Sequence, residues 1–388
     1  MKFDFYLSEM SVSDLHGGGL TLQRIIGDGL KDISWFIHVN RFATDVPAAD
    51  EFFNRTIDIP SFWERDTVRK TIGNSLSAKL AKKLPAIKKH AQRAAKIINE
   101  KFESEQVLSA LICPQGANSL FTLEALKALR AVNYVTWVMD DHLIEFTDNQ
   151  WRYPDGVEEV FAKHLQEANH VFVISPAMQH FYLDRFGVSS TVLFGSSDLL
   201  NGATTNAGNK GPLKIGYFGA VASWQLDALK IFADALKGTK DELHIYSTVQ
   251  KLPDALNLKE VVFKGRIDPG EVLPAMRNYN AVLLPISFQE KIRNMSQFNI
   301  ATKMGEYLAS GVPILAVGPP YAAMIDYLHI KKAAFTATSA NVKDIRTSVA
   351  LLRDQYKVVE ILNNAKKLVL NEVGTQPMRK KWLSVING

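Results

Sequence analysis

Short runs of β-branched and aromatic residues alternate with longer amphipathic stretches along almost the whole chain. Alternation of this kind favours an α/β fold, in which helices cover both faces of a doubly wound parallel sheet. The strands predicted in the first half are Phe3–Leu7, Ser34–Val39, Ala110–Cys113, Tyr134–Met139, His170–Ile174 and Thr191–Leu193. The helices predicted between them are Gly19–Leu30, Ser119–Leu129, Val157–Ala168 and Ala177–Arg185.

Residues 195–212 interrupt this alternation, because they are rich in Gly, Asn, Ser and Thr, a composition typical of a linker. We therefore expect two Rossmann-like domains, residues 1–194 and 213–375, and a C-terminal helix, residues 376–388, that packs back on the first domain. Open α/β sheets bind ligands at the carboxyl ends of their strands, which predicts two domains facing each other across a cleft. The elements predicted after the linker are Leu213–Phe218, Trp224–Leu236, Leu243–Tyr246, Val261–Lys264, Ala281–Leu284, Thr302–Ala309 and Ile314–Val317.

The composition agrees with this class. A chain of 388 residues is long enough for two domains, and its 47% hydrophobic and 22% charged residues exclude a disordered protein. No stretch reaches the roughly 18–20 apolar residues of a membrane-spanning helix, and the first ten residues predict a strand instead of a signal peptide. The single cysteine, Cys113, excludes an internal disulfide framework and indicates a reducing compartment such as the cytoplasm.

Residues 76–102 predict a helix with one apolar face, which Pro85 should kink or divide. A solvated surface is one interpretation of its other face. Peripheral contact with an anionic membrane is another, since each basic residue near such a membrane contributes on the order of 1 kcal/mol. Aromatic residues that would stack on bases are not interleaved with these cations, so no nucleic-acid partner is expected. The basic residues are Lys79, Lys82, Lys83, Lys88, Lys89, Arg93, Lys96 and Lys101.

The segment ATKMGEYLASGVPILAVGPP, residues 301–320, predicts a helix that begins near Ala301 and is stopped by Gly311 and Pro313. Lys303 and Glu306 are three residues apart and therefore project from the same side of this helix. An ordinary exposed ion pair is one explanation of that spacing.

The other explanation of this segment is a nucleotide site. Lys303, beside the unpaired N–H groups at the start of the helix, would hold a pyrophosphate, while Glu306 would accept hydrogen bonds from a vicinal diol such as a ribose. Gly305 lies between them in sequence and, without a side chain, would let a ligand approach the backbone.

The whole segment resembles the donor-site helix of GT-B glycosyltransferases, in particular those of bacterial exopolysaccharide and cell-surface glycan synthesis, including a glucuronosyltransferase-like branch. The resemblance implies that Lys303 meets the donor diphosphate and that Glu306 meets the ribose. Residues 213–224, LKIGYFGAVASW, resemble the strand that opens the family's donor domain, with Gly219 at the turn facing the donor. Residues 261–287 resemble the next part of that domain, which makes Arg266 a neighbour of the nucleotide base.

Two departures from the family pattern change the expected site. Many retaining relatives carry a glutamate eight residues before the position of Glu306, where this chain has Phe298. They also carry an arginine and a lysine after the glycine equivalent to Gly219, which this chain lacks. Lys291 and Arg293 are therefore the remaining candidates to help Lys303 neutralise the diphosphate, and the stereochemical outcome is left open.

A proton acceptor for the sugar acceptor's hydroxyl group is expected in YVTWVMDDHLIEF, residues 134–146. Asp140 or Asp141 follows a buried strand, and repulsion between adjacent carboxylates would raise one pKa. The alternatives are that the pair caps a helix or, with His142, binds a divalent metal. No metal is expected, because the family generally uses lysine and a helix dipole instead of a cation.

The loop DLHGGGLTL, residues 14–22, places three glycines after the first strand, where the backbone could pass close to a ligand. We take Gly18 and Gly19 as candidates for donor binding and His16 as a catalytic candidate.

The sequence thus predicts transfer of a sugar from a nucleoside-diphosphate sugar, as co-substrate and without a cofactor, to a glycan or lipid-linked acceptor. A sugar-nucleotide 2-epimerase of the same fold and an inactive carbohydrate-binding homologue are the alternatives.

Overall fold

The computed structural model describes residues 2–10, 12, 17–39, 52–199 and 211–387, so His16 and most of the predicted linker lie outside the described residues. The chain divides into two compact units. Unit 1 comprises Met1–Leu193 and Arg379–Gly388, and unit 2 comprises Phe194–Met378.

Unit 1 is built on a seven-stranded sheet in which every neighbouring pair of strands is parallel. Its elements in chain order are β1 (Phe5–Ser8), α1 (Gly17–Ile26), β2 (Trp35–His38), β3 (Thr56–Asp58), α2 (Asp66–Ile72), α3 (Asn74–Ala81), α4 (Leu84–Asn99), β4 (Leu108–Cys113), α5 (Ala117–Lys127), β5 (Val132–Val138), β6 (Glu145–Thr147), β7 (Gln150–Arg152), α6 (Glu158–Glu167), β8 (His170–Val173), α7 (Pro176–Phe186) and β9 (Thr191–Val192). The sheet order is β3-β2-β1-β4-β5-β8-β9, while β6 and β7 form a separate antiparallel hairpin.

Unit 2 contains a six-stranded parallel sheet of order β12-β11-β10-β13-β14-β15. Its elements are β10 (Lys214–Phe218), α8 (Ser223–Leu236), β11 (Glu242–Tyr246), β12 (Val261–Gly265), α9 (Pro269–Met276), β13 (Ala281–Pro285), α10 (Asn294–Gln297), α11 (Lys303–Ala309), β14 (Ile314–Val317), α12 (Ala323–Ile330), β15 (Phe335–Ala337), α13 (Val342–Leu351) and α14 (Gln355–Leu368). The last helix of the chain, α15 (Thr375–Ile386), begins in unit 2 and continues into unit 1 after Met378.

The last helix, α15, ends in unit 1, where aromatic packing fixes it. Trp382 is 4% exposed, and its ring lies 5.2 Å from Phe172, 6.0 Å from Trp137 and 6.3 Å from Phe3. Burial of a side chain of this size stabilises a fold by about 2–3 kcal/mol.

The predicted α/β class with two doubly wound sheets is confirmed. Three strands are additional to the prediction in unit 1, β3 and the hairpin strands β6 and β7, and β15 is additional in unit 2. The prediction that Pro85 kinks or divides the helix in residues 76–102 is confirmed, because α3 ends before Pro85 and Pro85 lies in the first turn of α4. A proline is tolerated in a first turn, where its missing N–H group has no intrahelical partner.

Candidate functional site

Lys303 and Gly219 meet at the carboxyl edge of the sheet of unit 2. Gly219 follows the last residue of β10, and a Cβ atom placed on it would overlap the ammonium group of Lys303, the first residue of α11. The sequence prediction for these two positions came from separate segments, and the fold brings them into contact. Because glycine has no side chain, the ammonium group reaches the turn that follows β10.

A tyrosine holds α11 against β10. The hydroxyl group of Tyr307 accepts a hydrogen bond from the N–H group of Phe218 at 3.0 Å and lies 3.3 Å from its carbonyl oxygen. Tyr307 is fully buried, and it lies one helical turn after Lys303. This double contact fixes the height of Lys303 above the sheet edge.

The position of Gly305 corrects a sequence expectation. Its missing side chain does not admit a ligand, because a Cβ atom there would overlap the carbonyl oxygen of Gly195. In the same contact a Cβ atom on Gly195 would lie 2.6 Å from Cα of Thr302. Two glycines thus let the start of unit 2 pack directly on α11, so Gly305 is a packing position.

The environment of Lys303 disfavours its charge. The side chain is partly buried, and burial lowers its pKa to about 8, against the opposing effect of the nearby Glu306 carboxylate. The Tyr217 ring compensates in part, because the ammonium nitrogen lies 5.0 Å from the ring centroid. Such a cation gains more from an anionic ligand than a fully hydrated one would.

The other cations predicted for this site occupy separate loops of unit 2. Arg266 is exposed and follows Gly265 at the carboxyl end of β12. Lys291 is exposed on a short 3-10 turn after β13. The Arg293 guanidinium lies 4.2 Å from the centroid of the Tyr321 ring and donates a hydrogen bond to Gln297. Arg293 is therefore held in place, whereas Arg266 and Lys291 extend into solvent.

Sequence reasoning missed a set of polar groups near the same edge. In the described part of unit 2, four residues that follow β10, β11 or β13 carry buried side-chain atoms without a hydrogen-bond partner. A buried polar group without a partner destabilises a protein by about 1–3 kcal/mol, and in native proteins it usually marks a ligand, a water or a functional strain. Phe298, at the position of the family's glutamate, is 3% exposed and apolar. The four residues are Gln225, Asp227, Ser247 and Asn299.

The two candidate bases of unit 1 have different surroundings. Asp140 keeps 39% of its side chain exposed, and its carboxylate lies 3.9 Å from Nε2 of His142. Desolvation by the surrounding protein and then the Asp141 carboxylate raise the pKa of Asp140 to about 7. A partly exposed carboxyl group with that pKa suits proton transfer at neutral pH.

Asp141 is a structural residue in this arrangement. It is 2% exposed, and one oxygen accepts hydrogen bonds from the N–H groups of Leu143 and Ile144, at 3.1 and 3.3 Å. The other oxygen accepts from the hydroxyl groups of Tyr153 and Tyr182, at 2.7 and 3.0 Å. Both oxygens are thus occupied, which favours Asp140 over Asp141 as the base.

The glycines of the first loop belong to a helix. Because α1 begins at Gly17, Gly18 and Gly19 lie in its first turn and not in an extended loop. A Cβ atom on Gly18 would lie 3.3 Å from the sulfur of Met139, the residue that precedes Asp140. Gly18 therefore brings the start of α1 to the end of β5.

The predicted basic surface is exposed as a whole. All eight of its basic residues are exposed on α3, on α4 and in the turns beside them. Two apolar side chains next to them are also exposed, Phe62 by 55% and Leu76 by 50%. Among the described helices, none combines the length and hydropathy needed to cross a membrane. Across the described ranges, no three His, Cys, Asp or Glu side chains are grouped as metal ligands.

Searches of protein-family models and of curated proteins find no match to this chain. Solved structures do match it. TarM of S. aureus, solved with UDP, is 15% identical with a TM-score of 0.56, and the match covers 76% of this chain and 59% of TarM. The chain thus spans about three-fifths of the length of TarM.

Two further structures match over their full length. HepE of Anabaena, solved with UDP, is 16% identical with a TM-score of 0.64, and the match covers 100% of both chains. A sucrose-phosphate synthase from Thermosynechococcus elongatus is 13% identical with a TM-score of 0.66, and the match covers 99% of this chain and 98% of that one. At such identities the likeness establishes architecture, and the protein described here has the GT-B fold.

Proposed function

We propose that the protein is a glycosyltransferase that moves a sugar from a UDP-sugar to a hydroxyl group of a glycan or lipid-linked acceptor. The observation that carries this proposal is the partly buried ammonium group of Lys303 in contact with Gly219 at a sheet edge. A cation in a site that disfavours its charge is typical of anion-binding and catalytic sites, and a diphosphate is such an anion. UDP in the TarM and HepE structures supports UDP as the leaving nucleotide.

In this proposal unit 2 binds the donor. Lys303 contacts the diphosphate and Glu306 accepts hydrogen bonds from the ribose hydroxyl groups. Arg266 lies beside the base, and Lys291 and Arg293 add positive charge. Unit 1 binds the acceptor. Gly18 and Gly19, in the first turn of α1, are candidates for donor binding, and His16 is a further catalytic candidate.

The proposed reaction is a single displacement of UDP. The acceptor oxygen forms a bond to the anomeric carbon, and the bond from that carbon to the diphosphate oxygen breaks. Asp140 takes the acceptor's proton. Lys303 stabilises the charge that collects on the departing UDP, in place of a divalent cation. Activity that persists in EDTA would support the metal-independent part of this scheme.

We place the protein at the inner face of the plasma membrane, in the cytoplasm. The exposed basic surface on α3 and α4 is complementary to the anionic lipids of that leaflet. The neighbouring Phe62 and Leu76 provide apolar contact. A lipid-linked acceptor fits this location because its lipid part stays in the bilayer.

The test is a donor incubation with the purified protein. We expect UDP-sugar to be hydrolysed slowly to UDP and free sugar without an acceptor, and consumed faster when an acceptor glycan is added. Release of UDP with an epimerised sugar, unaffected by acceptors, would instead support the 2-epimerase. If the protein neither binds nor turns over any UDP-sugar, the inactive carbohydrate-binding homologue is the remaining interpretation.

Two variants connect the activity to the site. Lys303→Ala and Glu306→Ala should fold normally and lose UDP binding in calorimetry. Lys259→Ala, at an exposed lysine of the same unit, is the matched control and should bind UDP like the wild type. Unchanged UDP affinity in both site variants would contradict the assignment of Lys303 and Glu306 to the donor site.

A further inference from the structure

The unpartnered polar groups of unit 2 lie along neighbouring strands. Gln225 and Asp227 are in the first turns of α8, which follows β10, and Ser247 follows β11 directly. Asn299 lies between β13 and α11, four residues before Lys303. Because β11, β10 and β13 are adjacent in the sheet, all four residues lie in segments that leave one stretch of its carboxyl edge.

Asp227 and the segment that carries Asn299 are also joined by contacts. One carboxylate oxygen of Asp227 accepts a hydrogen bond from the N–H group of Phe288 at 2.8 Å. The carbonyl oxygen of Trp224 accepts one from the N–H group of Ser287 at 3.1 Å. The start of α8 is therefore fastened to the loop that leads from β13 towards Asn299 and Lys303.

Most of the unpartnered atoms are hydrogen-bond acceptors. Oε1 of Gln225, Oδ1 of Asp227 and Oδ1 of Asn299 are acceptors, while Nδ2 of Asn299 is a donor and the Ser247 hydroxyl group is either. Gln225, Ser247 and Asn299 are 7%, 5% and 8% exposed, so water satisfies these groups poorly. A ligand that satisfies this set must donate several hydrogen bonds.

We propose that Asn299 and Asp227 bind hydroxyl groups of a neutral hexose in the donor, so that the enzyme selects a neutral UDP-sugar over an anionic one. This inference rests on the proposed function. Sugar hydroxyl groups donate and accept, which fits the amide of Asn299, and they donate to the free oxygen of Asp227. A uronic acid instead brings a carboxylate group, which has no hydrogen to donate and which repels the Asp227 carboxylate.

This selection differs from that of the glucuronosyltransferase-like relatives that the sequence resembles around Lys303. The groups offered to the sugar here are two amides, a hydroxyl and a carboxylate, and Phe298 offers no polar atom. Sites built to hydrogen-bond a substrate hydroxyl group discriminate strongly against analogues that leave them unpaired.

Calorimetric titration of the full chain tests the inference. The ligands are UDP, UDP-glucuronate and three neutral donors, UDP-glucose, UDP-galactose and UDP-N-acetylglucosamine. We expect the best neutral donor to bind at least about 10-fold tighter than UDP-glucuronate, the effect of one or two hydrogen bonds. UDP-glucuronate binding as tightly as every neutral donor overturns the inference.

Variants separate sugar recognition from structure. Asn299→Ala should lower the affinity for the best neutral donor by about 10-fold and leave the affinity for UDP unchanged. The matched control Asn363→Ala on α14 should change neither affinity. Asp227→Asn should raise the affinity for UDP-glucuronate by about 10-fold relative to the affinity for the neutral donors, because it removes the like charge. Equal losses for UDP and UDP-sugar in Asn299→Ala, or an unchanged ratio in both variants, contradict the inference. If the wild type binds no nucleotide at all, both the proposed function and this inference are contradicted. If it binds nucleotides but does not distinguish the sugars, only this inference is contradicted.

Discussion

The ammonium group of Lys303 occupies the space that a side chain at position 219 would fill. One residue supplies the charge and the other supplies the room for it. Tyr307 and the Tyr217 ring fix this relationship from the helix side and the strand side. Neither residue is informative alone, because lysine is common on helices and glycine is common in turns.

Substitution of Gly219 by alanine should therefore displace the lysine side chain. The new methyl group meets the end of a flexible side chain, which can move away. We expect UDP affinity to fall by about 10-fold or more. The melting temperature should fall moderately, because Gly219 has a φ of +159° and its Cβ atom would lie 3.2 Å from the Tyr217 hydroxyl group. Calorimetry and thermal unfolding measure the two effects.

Two other glycines serve as comparisons. Gly270→Ala adds a methyl group where no atom lies within 4 Å, and it should change neither property. Gly305→Ala meets the backbone of Gly195, which cannot rotate away, so it should lower the melting temperature. Unchanged UDP affinity in Gly219→Ala would contradict the assignment.

The adjacent aspartates should respond in opposite ways to removal of charge. Asp140→Asn should lower kcat by about 10²–10⁴-fold, the usual effect of losing a general base, without loss of stability. Asp141→Asn replaces one of the two accepting oxygens with an NH₂ group, which then faces two of the four donors, and should reduce the free energy of unfolding by about 2–3 kcal/mol. Steady-state rates and denaturant unfolding distinguish them. The reverse pattern would move the base to Asp141.

Activity should be confined to a narrow range of pH. Asp140 must lose its proton, and because its pKa is raised to about 7, kcat/KM should rise with pH through that value. Lys303 must keep its proton, and because its pKa is lowered to about 8, kcat/KM should fall as pH rises through that value. The measurement is a pH profile with a UDP-sugar at limiting concentration. In Lys303→Arg, which stays protonated, the alkaline limb should disappear even if the rate is lower.

Membrane binding should depend on the basic surface and on salt. A variant with Lys88, Lys89, Arg93 and Lys96 changed to glutamate should lose at least about 10-fold in affinity for vesicles containing phosphatidylglycerol. Binding of the wild type should weaken at high ionic strength and be minimal for vesicles of phosphatidylcholine alone. The matched control changes the exposed residues Lys259, Lys343, Lys366 and Lys367 of unit 2 to glutamate. Equal losses in both variants would show an effect of net charge only.

The sequence was sufficient for the architecture because both sheets are built from apolar strands with regular spacing. The short strands could not be predicted from the sequence. Thr56–Asp58 and the hairpin strands have three residues each, too few to show a period. The hairpin turn is Asp148–Asn149, both with positive φ, and lacks the Asn-Gly or Asp-Gly pair that normally marks such a turn.

The candidate site was predictable only where residues are close in sequence. Lys303 and Glu306 were assigned because residues 301–320 resemble a donor-site helix, but the contact of Lys303 with Gly219 depends on the packing of α11 on β10. The choice between Asp140 and Asp141 depends on Tyr153 and Tyr182, which reach the carboxylate from later elements. Gly305 was misread for the same reason, because its partner Gly195 lies in the segment taken for a linker.

The pKa values of Lys303 and Asp140 have a consequence for protein engineering. In both residues the fold opposes the charged form, so each is a poor choice by the criterion of stability. A redesign that optimises melting temperature alone would replace Lys303 with methionine and Asp140 with asparagine. The redesigned protein would tolerate more heat and would have lost the two charges to which the proposed mechanism assigns turnover.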